Sequence, residues 1–277
     1  MNPSHLAGPG AGLPRDAVVV ALHSSGAGAR QWAPWRAWLG PGTTLAAPDL
    51  IGYDPGVDWP ADRAVTLDEE AERVARVLEA FPQGVHLVGH SYGGAVALRV
   101  ALRWPQQVRR LSLYEPVLFG LLRDGDEPGD DDAWRAITGV GHQIGALARS
   151  GQLEASAVLF VDYWSGVGAW AALPPHRQQA IAARMPKVSA EFDALFDDPM
   201  PPEVYRQLRL PVRLAGGDRS PEPARRIVAR LARLLPGVQV QRMNGLGHMG
   251  PLEAPQRVAD AFDLVDRSAT VDERLAA

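Results

Sequence analysis

The chain contains no cysteine among its 277 residues, which excludes disulfide bonds, thiol nucleophiles and cysteine-ligated metal sites. Long apolar runs are also absent, since no segment approaches the ~18 uninterrupted apolar residues that a membrane-spanning helix needs. The first residues lack a basic start followed by an apolar stretch, so no secretion signal is visible and a cytoplasmic location is expected. Lysine is nearly absent as well, because Lys187 is the only one and all other basic side chains are arginines or histidines.

The net charge and the spacing of charged residues limit the classes of partner and cofactor that we expect. The formal net charge is -4 at pH 7, which gives no electrostatic reason to expect nucleic acid or a membrane as a partner. Histidines and carboxylates do not occur at metal-ligand spacings such as His-Glu-x-x-His, and no Gly-Lys-Ser/Thr follows the glycine-rich stretch 89–94. We therefore expect no metal, no cofactor and a small molecule as the partner, while a homodimer is left open.

Hydrophobic residues make up 46% of the chain, enough for a large core. The run Val18–Leu22 is wholly apolar, as is typical of a strand buried on both faces. Thr66-Leu-Asp-Glu69 forms a capping box, which predicts a helix that runs to about Phe81. Strands alternate with helices, and this predicts an α/β fold with a mostly parallel sheet flanked by helices. The predicted strands are 18–23, 43–48, 85–88, 108–114, 211–215 and 238–243.

The alternation breaks between residues 116 and 208, where helical periodicity continues without a clear strand. We interpret this segment as a helical lid, because the strand pattern resumes at Pro211. The acidic stretch 124–132 within it is typical of an exposed, solvated loop. Six of its aromatic side chains are candidates to line a pocket: Trp134, Phe160, Tyr163, Trp164, Trp170 and Phe192. The predicted organisation is a core of 16–115 and 209–268, a lid of 116–208, and flexible ends 1–15 and 269–277.

A glycine-rich turn follows the strand 85–88. It reads Gly-His-Ser-Tyr-Gly-Gly and places Ser91 at the end of a strand, directly before a helix. A serine in such a tight strand-to-helix turn is held out of the sheet with its hydroxyl exposed, and Gly89 and Gly93 permit the turn. The sequence therefore predicts Ser91 as a nucleophile. The alternative is a solvated serine in an ordinary glycine-rich turn.

A serine hydroxyl needs a base within hydrogen-bond reach and a group that orients the base. His248 is the candidate base, because it lies in a loop with glycines at 245, 247 and 250 that can carry its imidazole back to Ser91. An apolar strand also ends in an acidic residue at Leu214-Ala-Gly-Gly-Asp218. Serine, acid and histidine thus follow one another in the order found in α/β-hydrolases.

On these landmarks the sequence resembles the α/β-hydrolase superfamily from about Val18 to Val265. It resembles in particular the single-domain esterases, C–C-bond hydrolases and cofactor-free peroxidases of that superfamily. Further matching landmarks are His23-Ser-Ser-Gly26 and Pro48-Asp-Leu-Ile-Gly52. Family members usually have two strands ahead of the one that ends at His23. Only about seventeen residues precede that strand here, so a shortened N-terminal hairpin and a reduced sheet are expected.

The resemblance assigns the orienting acid to Asp218, which matches the family's Gly-x-Asp-x-x-Pro pattern. The same side chain could instead cap a helix that begins near Pro221. Glu115 is the alternative acid, because it ends the strand after the nucleophile helix, where some relatives place theirs. An acid in this role would hold the imidazole of His248 in the required tautomer.

The resemblance also assigns the donors that would stabilise a developing oxyanion. One is the backbone N–H of Tyr92, the residue after the nucleophile, and the other is the backbone N–H of Ser25 in the turn after the first strand. Relatives usually have glycine where this chain has Ser24. That change is either neutral or alters the turn by adding a side-chain donor or narrowing the acyl pocket.

The function implied is a cofactor-independent serine hydrolase that cleaves a small to medium carboxylic ester through an acyl-enzyme. Three alternatives stay open at this point. The same residues could hydrolyse a C–C bond in a diketone-type substrate, or transfer the acyl group to an acceptor other than water, as an acyltransferase or perhydrolase does. The chain could also be a non-catalytic relative that only binds a ligand. Epoxide and haloalkane hydrolysis are disfavoured, because those relatives carry aspartate where Ser91 stands.

Overall fold

The computed structural model describes residues 17–54 and 64–266, in which a single parallel sheet is covered by helices on both faces. Six strands run in the order β2-β1-β3-β4-β5-β6, and every neighbouring pair is parallel. The predicted α/β fold is confirmed. The strands are β1 (Val18–Leu22), β2 (Thr44–Ala46), β3 (Val85–His90), β4 (Val108–Tyr114), β5 (Val212–Gly217) and β6 (Gln239–Met243).

Helices lie between most consecutive strands and after the last one. Within the described ranges, no helix has both the length and the apolar character needed to cross a membrane. The predicted flexible ends and the site of the shortened N-terminal hairpin fall almost wholly outside the described residues. The α-helices are α1 (Leu67–Leu78), α2 (Tyr92–Arg103), α3 (Gly120–Arg123), α4 (Asp130–Arg149), α5 (Leu153–Ser165), α6 (Pro175–Ala183), α7 (Met185–Phe196), α8 (Glu222–Leu234), α9 (Gly250–Glu253) and α10 (Pro255–Ala261). Segments of 3₁₀ helix lie at Ala29–Ala37, Pro105–Gln107 and Pro202–Gln207.

Each face of the sheet carries its own apolar core, because successive side chains of a strand point to opposite faces. Val20 and Leu22 of β1 belong to the larger core, which also contains the buried faces of α1, α2 and the lid helices. Val19 and Ala21 belong to the second core, which the 3₁₀ segment Ala29–Ala37 and α10 cover. The wholly apolar sequence of β1 therefore reflects burial on both sides.

Local sequence sets the ends of two helical segments. The predicted capping box opens α1, since the Thr66 hydroxyl accepts the Glu69 backbone N–H and the Glu69 carboxylate accepts the Thr66 N–H. The segment after the histidine loop does not form one continuous closing helix, because the structure divides it into α9 and α10. Ala254 between them has φ -140° and ψ 60°, which is non-helical, and the following Pro255 disfavours the helical conformation at this position by steric contact.

Helices α3 to α7 lie between β4 and β5, and the described chain from 116 to 211 contains no strand. Inside this lid the Phe119 ring lies 5.9 Å from the Phe192 ring and 5.5 Å from the Phe196 ring. The prediction that the acidic stretch is a solvated loop is wrong for Asp130. This residue begins α4, is 1% exposed, and accepts hydrogen bonds from two arginines of α8. The stretch therefore fastens the lid to the core.

The start of α2 packs against the end of β1 without room for a side chain. A β-carbon on Gly93 would lie 2.4 Å from the carbonyl oxygen of Leu22 and 2.5 Å from that of His23. Both contacts are with backbone, which cannot move away as a flexible side chain would. The glycine at this position is therefore required by the close approach of two backbones.

We predict opposite effects for two glycine-to-alanine substitutions in helices. Gly93→Ala should lower the free energy of unfolding by about 2 kcal/mol or more, because the added methyl group meets backbone oxygens. Gly139→Ala should raise it by up to about 1 kcal/mol, because Gly139 lies in α4 with nothing within 4 Å of the added carbon. Urea denaturation followed by circular dichroism measures both. Equal stability of the two variants would contradict the close packing at Gly93.

Candidate active site

Ser91 lies at the turn between β3 and α2, in the conformation that the sequence predicts for an exposed nucleophile. Its φ is 56°, in the left-handed region that residues other than glycine rarely occupy. The backbone N–H of Ser91 donates to the carbonyl of Tyr114, and the Ser91 carbonyl accepts from Gly94 and Ala95 at the start of α2. These bonds hold a strained residue in place, and such strain is common where a side chain must be presented for function.

His248 lies in the loop between β6 and α9 and contacts Ser91. Its Nε2 is 2.9 Å from the Ser91 Oγ. The ring is 2% exposed, and the Trp164 side chain of α5 lies over it at 4.1 Å between ring centroids. The structure thus brings the predicted nucleophile and the predicted base together beneath the lid.

Glu115, the alternative acid, lies where an orienting acid would contact His248. It follows β4 directly, has φ 43°, and is fully buried. Its Oε2 lies 2.7 Å from the Nδ1 of His248, so the carboxylate accepts the Nδ1–H of the imidazole. Its Oε1 accepts two further hydrogen bonds, from the Gly217 backbone N–H and the Ser220 hydroxyl, both at 2.6 Å. These donors stabilise a buried negative charge that would otherwise be costly.

The structure contradicts the assignment of this place to Asp218. The Asp218 Oδ1 accepts the backbone N–H of Gly245 at 2.7 Å, and its Oδ2 lies 3.7 Å from the guanidinium of Arg242. Asp218 therefore supports the loop that carries His248 without contacting the ring. It does not cap α8 with its side chain either, since no side-chain cap bond is present at the start of that helix.

The position of Glu115 directly after β4 is itself a sequence signal, although the family pattern favours Asp218. Parallel strands bring their carboxyl ends to one edge of the sheet, and β4 lies between β3, which carries Ser91, and β5. A charged residue directly after the buried strand β4 is therefore adjacent to the nucleophile. Asp218 is one residue beyond the end of β5, on the side towards β6.

The predicted oxyanion turn after β1 is held on several sides and leaves one N–H without a partner. The Ser24 N–H donates to Gln31, and the Gly26 N–H donates to the Tyr53 hydroxyl at 2.7 Å. In the described chain the Ser25 N–H between them makes no hydrogen bond. Tyr92 begins α2, where a backbone N–H has no partner within the helix. Among the described residues, neither predicted donor therefore has a hydrogen-bond partner.

The side chain that replaces glycine at position 24 joins a buried network behind the site. The Ser24 hydroxyl and N–H both donate to the Gln31 Oε1, at 2.9 and 3.0 Å. The Gln31 Nε2 therefore donates to the Nδ1 of His90, 3.0 Å away. The Nε2–H of His90 then donates to the backbone carbonyl of His248 at 2.8 Å. Burial holds the pKa of His90 well below its usual value, so the ring stays neutral and this tautomer is fixed.

The lid contacts the oxyanion turn through a cation and an aromatic ring. Arg184, between α6 and α7, donates from Nη1 to the carbonyl oxygens of Gly26 and Ala27 at 2.9 and 2.8 Å. The Phe160 ring of α5 lies 3.4 Å from where a β-carbon on Gly26 would stand. With Trp164 over the imidazole, these contacts leave Ser91 only 5% exposed. The structure is therefore a closed form of the site.

A buried ion-pair group joins the lid to the core beside the turn. The Nζ of Lys187 on α7 lies 3.1 Å from Glu70 of α1 and 3.0 Å from Glu191. It also lies over the rings of Tyr53 and Tyr92, at 5.6 and 5.2 Å from their centroids. Burial acts to lower the pKa of Lys187, but the two carboxylates outweigh it and raise the pKa above its usual value. The only lysine of the chain is thus charged and fully engaged.

Comparison with known proteins gives a family and a set of similar folds. Residues 19–261 match the sequence model of the alpha/beta hydrolase family. A hydrolase from Pseudomonas aeruginosa PA01 has a similar structure, with a TM-score of 0.71 and 20% identity over 96% of this chain and 92% of that one. MenH from S. aureus gives a TM-score of 0.69 and 19% identity over 91% and 92%. At these identities the similarity concerns the fold.

Curated relatives match over a shorter stretch. The 2-hydroxymuconate semialdehyde hydrolase of Pseudomonas sp. strain CF600 is 37% identical over 108 residues, which are 38% of this chain and 36% of the relative. Lipase LipV of Mycobacterium tuberculosis is 36% identical over 103 residues, which are 37% and 38% of the two chains. The alignment thus covers less than two fifths of each of these relatives.

We predict that the network behind the site depends on the amide of Gln31. Gln31→Leu keeps the volume but leaves the Ser24 donors and the His90 Nδ1 without partners, so the free energy of unfolding should fall by on the order of 3 kcal/mol. Ser24→Ala is the matched control, because the Gln31 Oε1 still accepts the backbone N–H, and its effect should stay under about 1 kcal/mol. Chemical denaturation of both variants measures the difference. If the two variants lose similar amounts of unfolding free energy, the network does not depend on the amide of Gln31.

Proposed function

This chain belongs to the alpha/beta hydrolase family, and we propose that it is a cofactor-independent serine hydrolase that cleaves small to medium carboxylic esters through an acyl-enzyme. In this proposal Ser91 is the nucleophile, His248 is the general base and acid, and Glu115 orients the imidazole. The N–H groups of Ser25 and Tyr92 bind the oxyanion. The single observation that carries the proposal is the continuous hydrogen-bonded chain from Ser91 through His248 to Glu115.

In this proposal every proton transfer passes through His248. His248 takes the proton of Ser91 as the oxygen attacks the ester carbonyl, and Glu115 stabilises the imidazolium that forms. Collapse of the tetrahedral intermediate breaks the bond to the alkoxy group, which leaves as the alcohol with the proton from His248. Water then enters, loses a proton to His248 and attacks the acyl-enzyme, and Ser91 recovers its proton as the carboxylic acid departs.

The charges around the site favour an uncharged acyl group. Burial is the main cause that lowers the pKa of the adjacent His23 to about 4, and the charges of Arg184 and Lys187 contribute to the same direction. Both cations are nevertheless engaged, Arg184 with two backbone carbonyls and Lys187 with two carboxylates. A substrate carboxylate would have to displace one of these partners. The Trp164 ring over His248 and the Phe160 ring beside Gly26 suit an apolar acyl or alcohol group.

A second candidate is hydrolysis of a C–C bond beside a ketone, favoured by the names of two curated relatives. These are 2-hydroxymuconate semialdehyde hydrolase and 2-hydroxy-6-oxo-2,4-heptadienoate hydrolase, both 37% identical over 108 residues. Such substrates are carboxylates, which the engaged cations disfavour. A comparison of p-nitrophenyl esters with a 2-hydroxy-6-oxo-dienoate separates the two candidates. Faster turnover of the dienoate would replace the ester proposal.

We predict that a fluorophosphonate labels Ser91 and that the labelling rate depends on Glu115. Glu115→Gln should reduce the rate by about 10²-fold or more, because an amide cannot accept both the Nδ1–H of His248 and the N–H of Gly217. Asp218→Asn is the matched control and should label nearly as fast as the wild type, since an asparagine oxygen still accepts the Gly245 N–H. Mass spectrometry locates the adduct, and labelling over time gives the rate.

Two outcomes of this experiment would contradict the proposal. An adduct on a residue other than Ser91 would contradict the assignment of Ser91 as the nucleophile. A slow Asp218→Asn beside a fast Glu115→Gln would return the orienting role to Asp218. Circular dichroism of each variant confirms that the compared proteins are folded.

We also predict that Trp164 limits the size of the substrate. Trp164→Ala removes the ring that covers His248, so kcat/KM for long acyl esters should rise relative to short ones. Trp170→Ala is the matched control, because this lid side chain is equally buried, 7% exposed against 6% for Trp164, and has no ring contact with His248. Both should lose stability by about 3–5 kcal/mol. The same chain-length profile in both variants would mean that Trp164 only packs the lid.

A further inference from the structure

A row of polar side chains crosses the sheet at the edge opposite Ser91, near the amino ends of β3 to β6. Parallel register places His86 beside Arg110, Ser112 beside Arg213, and Arg213 beside Gln239. Register partners share a face of the sheet, and these residues surround a cavity of about 120 Å³. A single water needs about 10–15 Å³ of such volume, so the cavity can hold a group of several heavy atoms.

The His86–Ser112 pair leaves one hydrogen-bond donor unused. The His86 Nε2 lies 2.8 Å from the Ser112 Oγ, and the His86 Nδ1 is buried without a partner in the described chain. A neutral imidazole carries one N–H and serine carries one O–H, but the pair uses only one of these two hydrogens. Whichever tautomer is present, one donor beside the cavity has no acceptor. His86 is 5% exposed and Ser112 is fully buried, so bulk water does not satisfy it.

Two arginines of the row, Arg110 and Arg213, also line the cavity beside the unused donor. Within residues 17–54 and 64–266, the half-buried side chain of Arg110 lines the cavity and has no hydrogen bond or ion pair. Arg213 donates to the Ala261 carbonyl and pairs with Asp263, so its charge is already balanced. Burial together with the charges of Arg110 and Arg213 lowers the pKa of His86 to about 3. The ring is therefore neutral near pH 7, and Arg110 supplies one unbalanced positive charge to the cavity.

Asp263 makes the cavity selective for anions that carry a hydrogen. Its carboxylate lines the same cavity and pairs with Arg213, and it can only accept hydrogen bonds, so an anion without a hydrogen to donate has no hydrogen bond to make with it. A hydrogen phosphate group carries both features that the wall requires. Its negative oxygens can accept from Arg110 and from the His86–Ser112 pair, and its P–OH can donate to Asp263. Sulfate is fully ionised near pH 7 and lacks that hydrogen.

From this arrangement we propose that the cavity is a binding site for a phosphate group, separate from the catalytic site. The ligand is inorganic phosphate or the phosphoryl end of a phosphomonoester, bound by Arg110, by the unused donor of the His86–Ser112 pair and by Asp263. The site lies between the amino ends of four strands, so its occupancy stabilises the folded chain by mass action. The proposal does not depend on the reaction assigned to Ser91.

The test is the thermal stability of the full chain titrated with sodium phosphate, sodium sulfate or sodium acetate at pH 7 and constant ionic strength. Phosphate should raise the melting temperature with saturation, whereas sulfate and acetate should have little effect. Isothermal titration calorimetry gives the Kd for phosphate. Glucose 6-phosphate, titrated in the same way, distinguishes a site that takes a phosphomonoester from one that takes only the free ion.

Three variants test the assigned contacts. Arg110→Gln should raise the Kd for phosphate at least tenfold. Arg76→Gln, which removes the same charge from an exposed position on α1, should leave the Kd unchanged. Asp263→Asn should reduce the preference for phosphate over sulfate, because an amide N–H can donate to either anion. Asp263 has φ 54°, a conformation that asparagine tolerates, so this variant is expected to fold.

Several results would overturn the proposal. One is the absence of saturable phosphate binding to the wild type, which would mean that a water molecule meets the unused donor. Another is an equal loss of phosphate affinity in Arg110→Gln and Arg76→Gln. That result would mean that phosphate responds to the net charge of the protein and not to Arg110 in particular. Equal stabilisation of the wild type by phosphate and sulfate would remove the role of Asp263 and with it the hydrogen phosphate assignment.

Discussion

The carboxylate of Glu115 connects the parts of this protein that must stay aligned. One oxygen accepts from His248, and the other accepts from Gly217 and Ser220. The group is fully buried, and an uncompensated charge there would cost several kcal/mol. The end of β4, the end of β5 and the histidine loop are therefore held in one arrangement. The contact between His248 and Ser91 is a consequence of that arrangement.

The lid is coupled to the core at both of its ends. Near its start, Asp130 is paired with two arginines of α8. Near its end, Lys187 joins α7 to Glu70 of α1, and Arg184 binds the carbonyls of the oxyanion turn. A movement of α7 that opens the site must break buried charge pairs, and it must also release the turn that carries Ser25. Access to Ser91 and the shape of the turn are thus linked through the same helix.

Much of the architecture follows from short sequence patterns. All six strands coincide with segments that the sequence predicts as strands, and the signal is clearest at β1, whose apolar run is buried on both faces. The capping box at Thr66 fixes the start of α1 through bonds within four residues. The strand-turn-helix pattern around Ser91 predicts the turn itself, because glycine is needed where α2 approaches β1. In each of these cases the determining contacts are local, or the pattern reflects burial alone.

Contacts between segments that are distant along the chain are harder to predict from the sequence. Asp218 and Glu115 both follow buried strands before His248, and the family pattern favoured Asp218. The order of the strands decides between them, because it places the end of β4 beside Ser91 and directs Asp218 towards the β6 side. The charge pattern of the acidic stretch predicts a solvated loop, yet Asp130 is buried against α8, which begins some ninety residues later. Pairing of charges across such separations leaves no periodic signal in the sequence.

The sequence by itself determined the class of fold, the serine at the turn and the histidine in the glycine-rich loop, because each depends on local conformational preference or on burial. Only the tertiary structure decided which carboxylate faces His248, which N–H of the turn stays free, and which lid side chains cover the site. It also brought His86, Ser112 and Arg110 around one cavity. These outcomes depend on strand order and register, which place residues side by side in space whatever their separation along the chain.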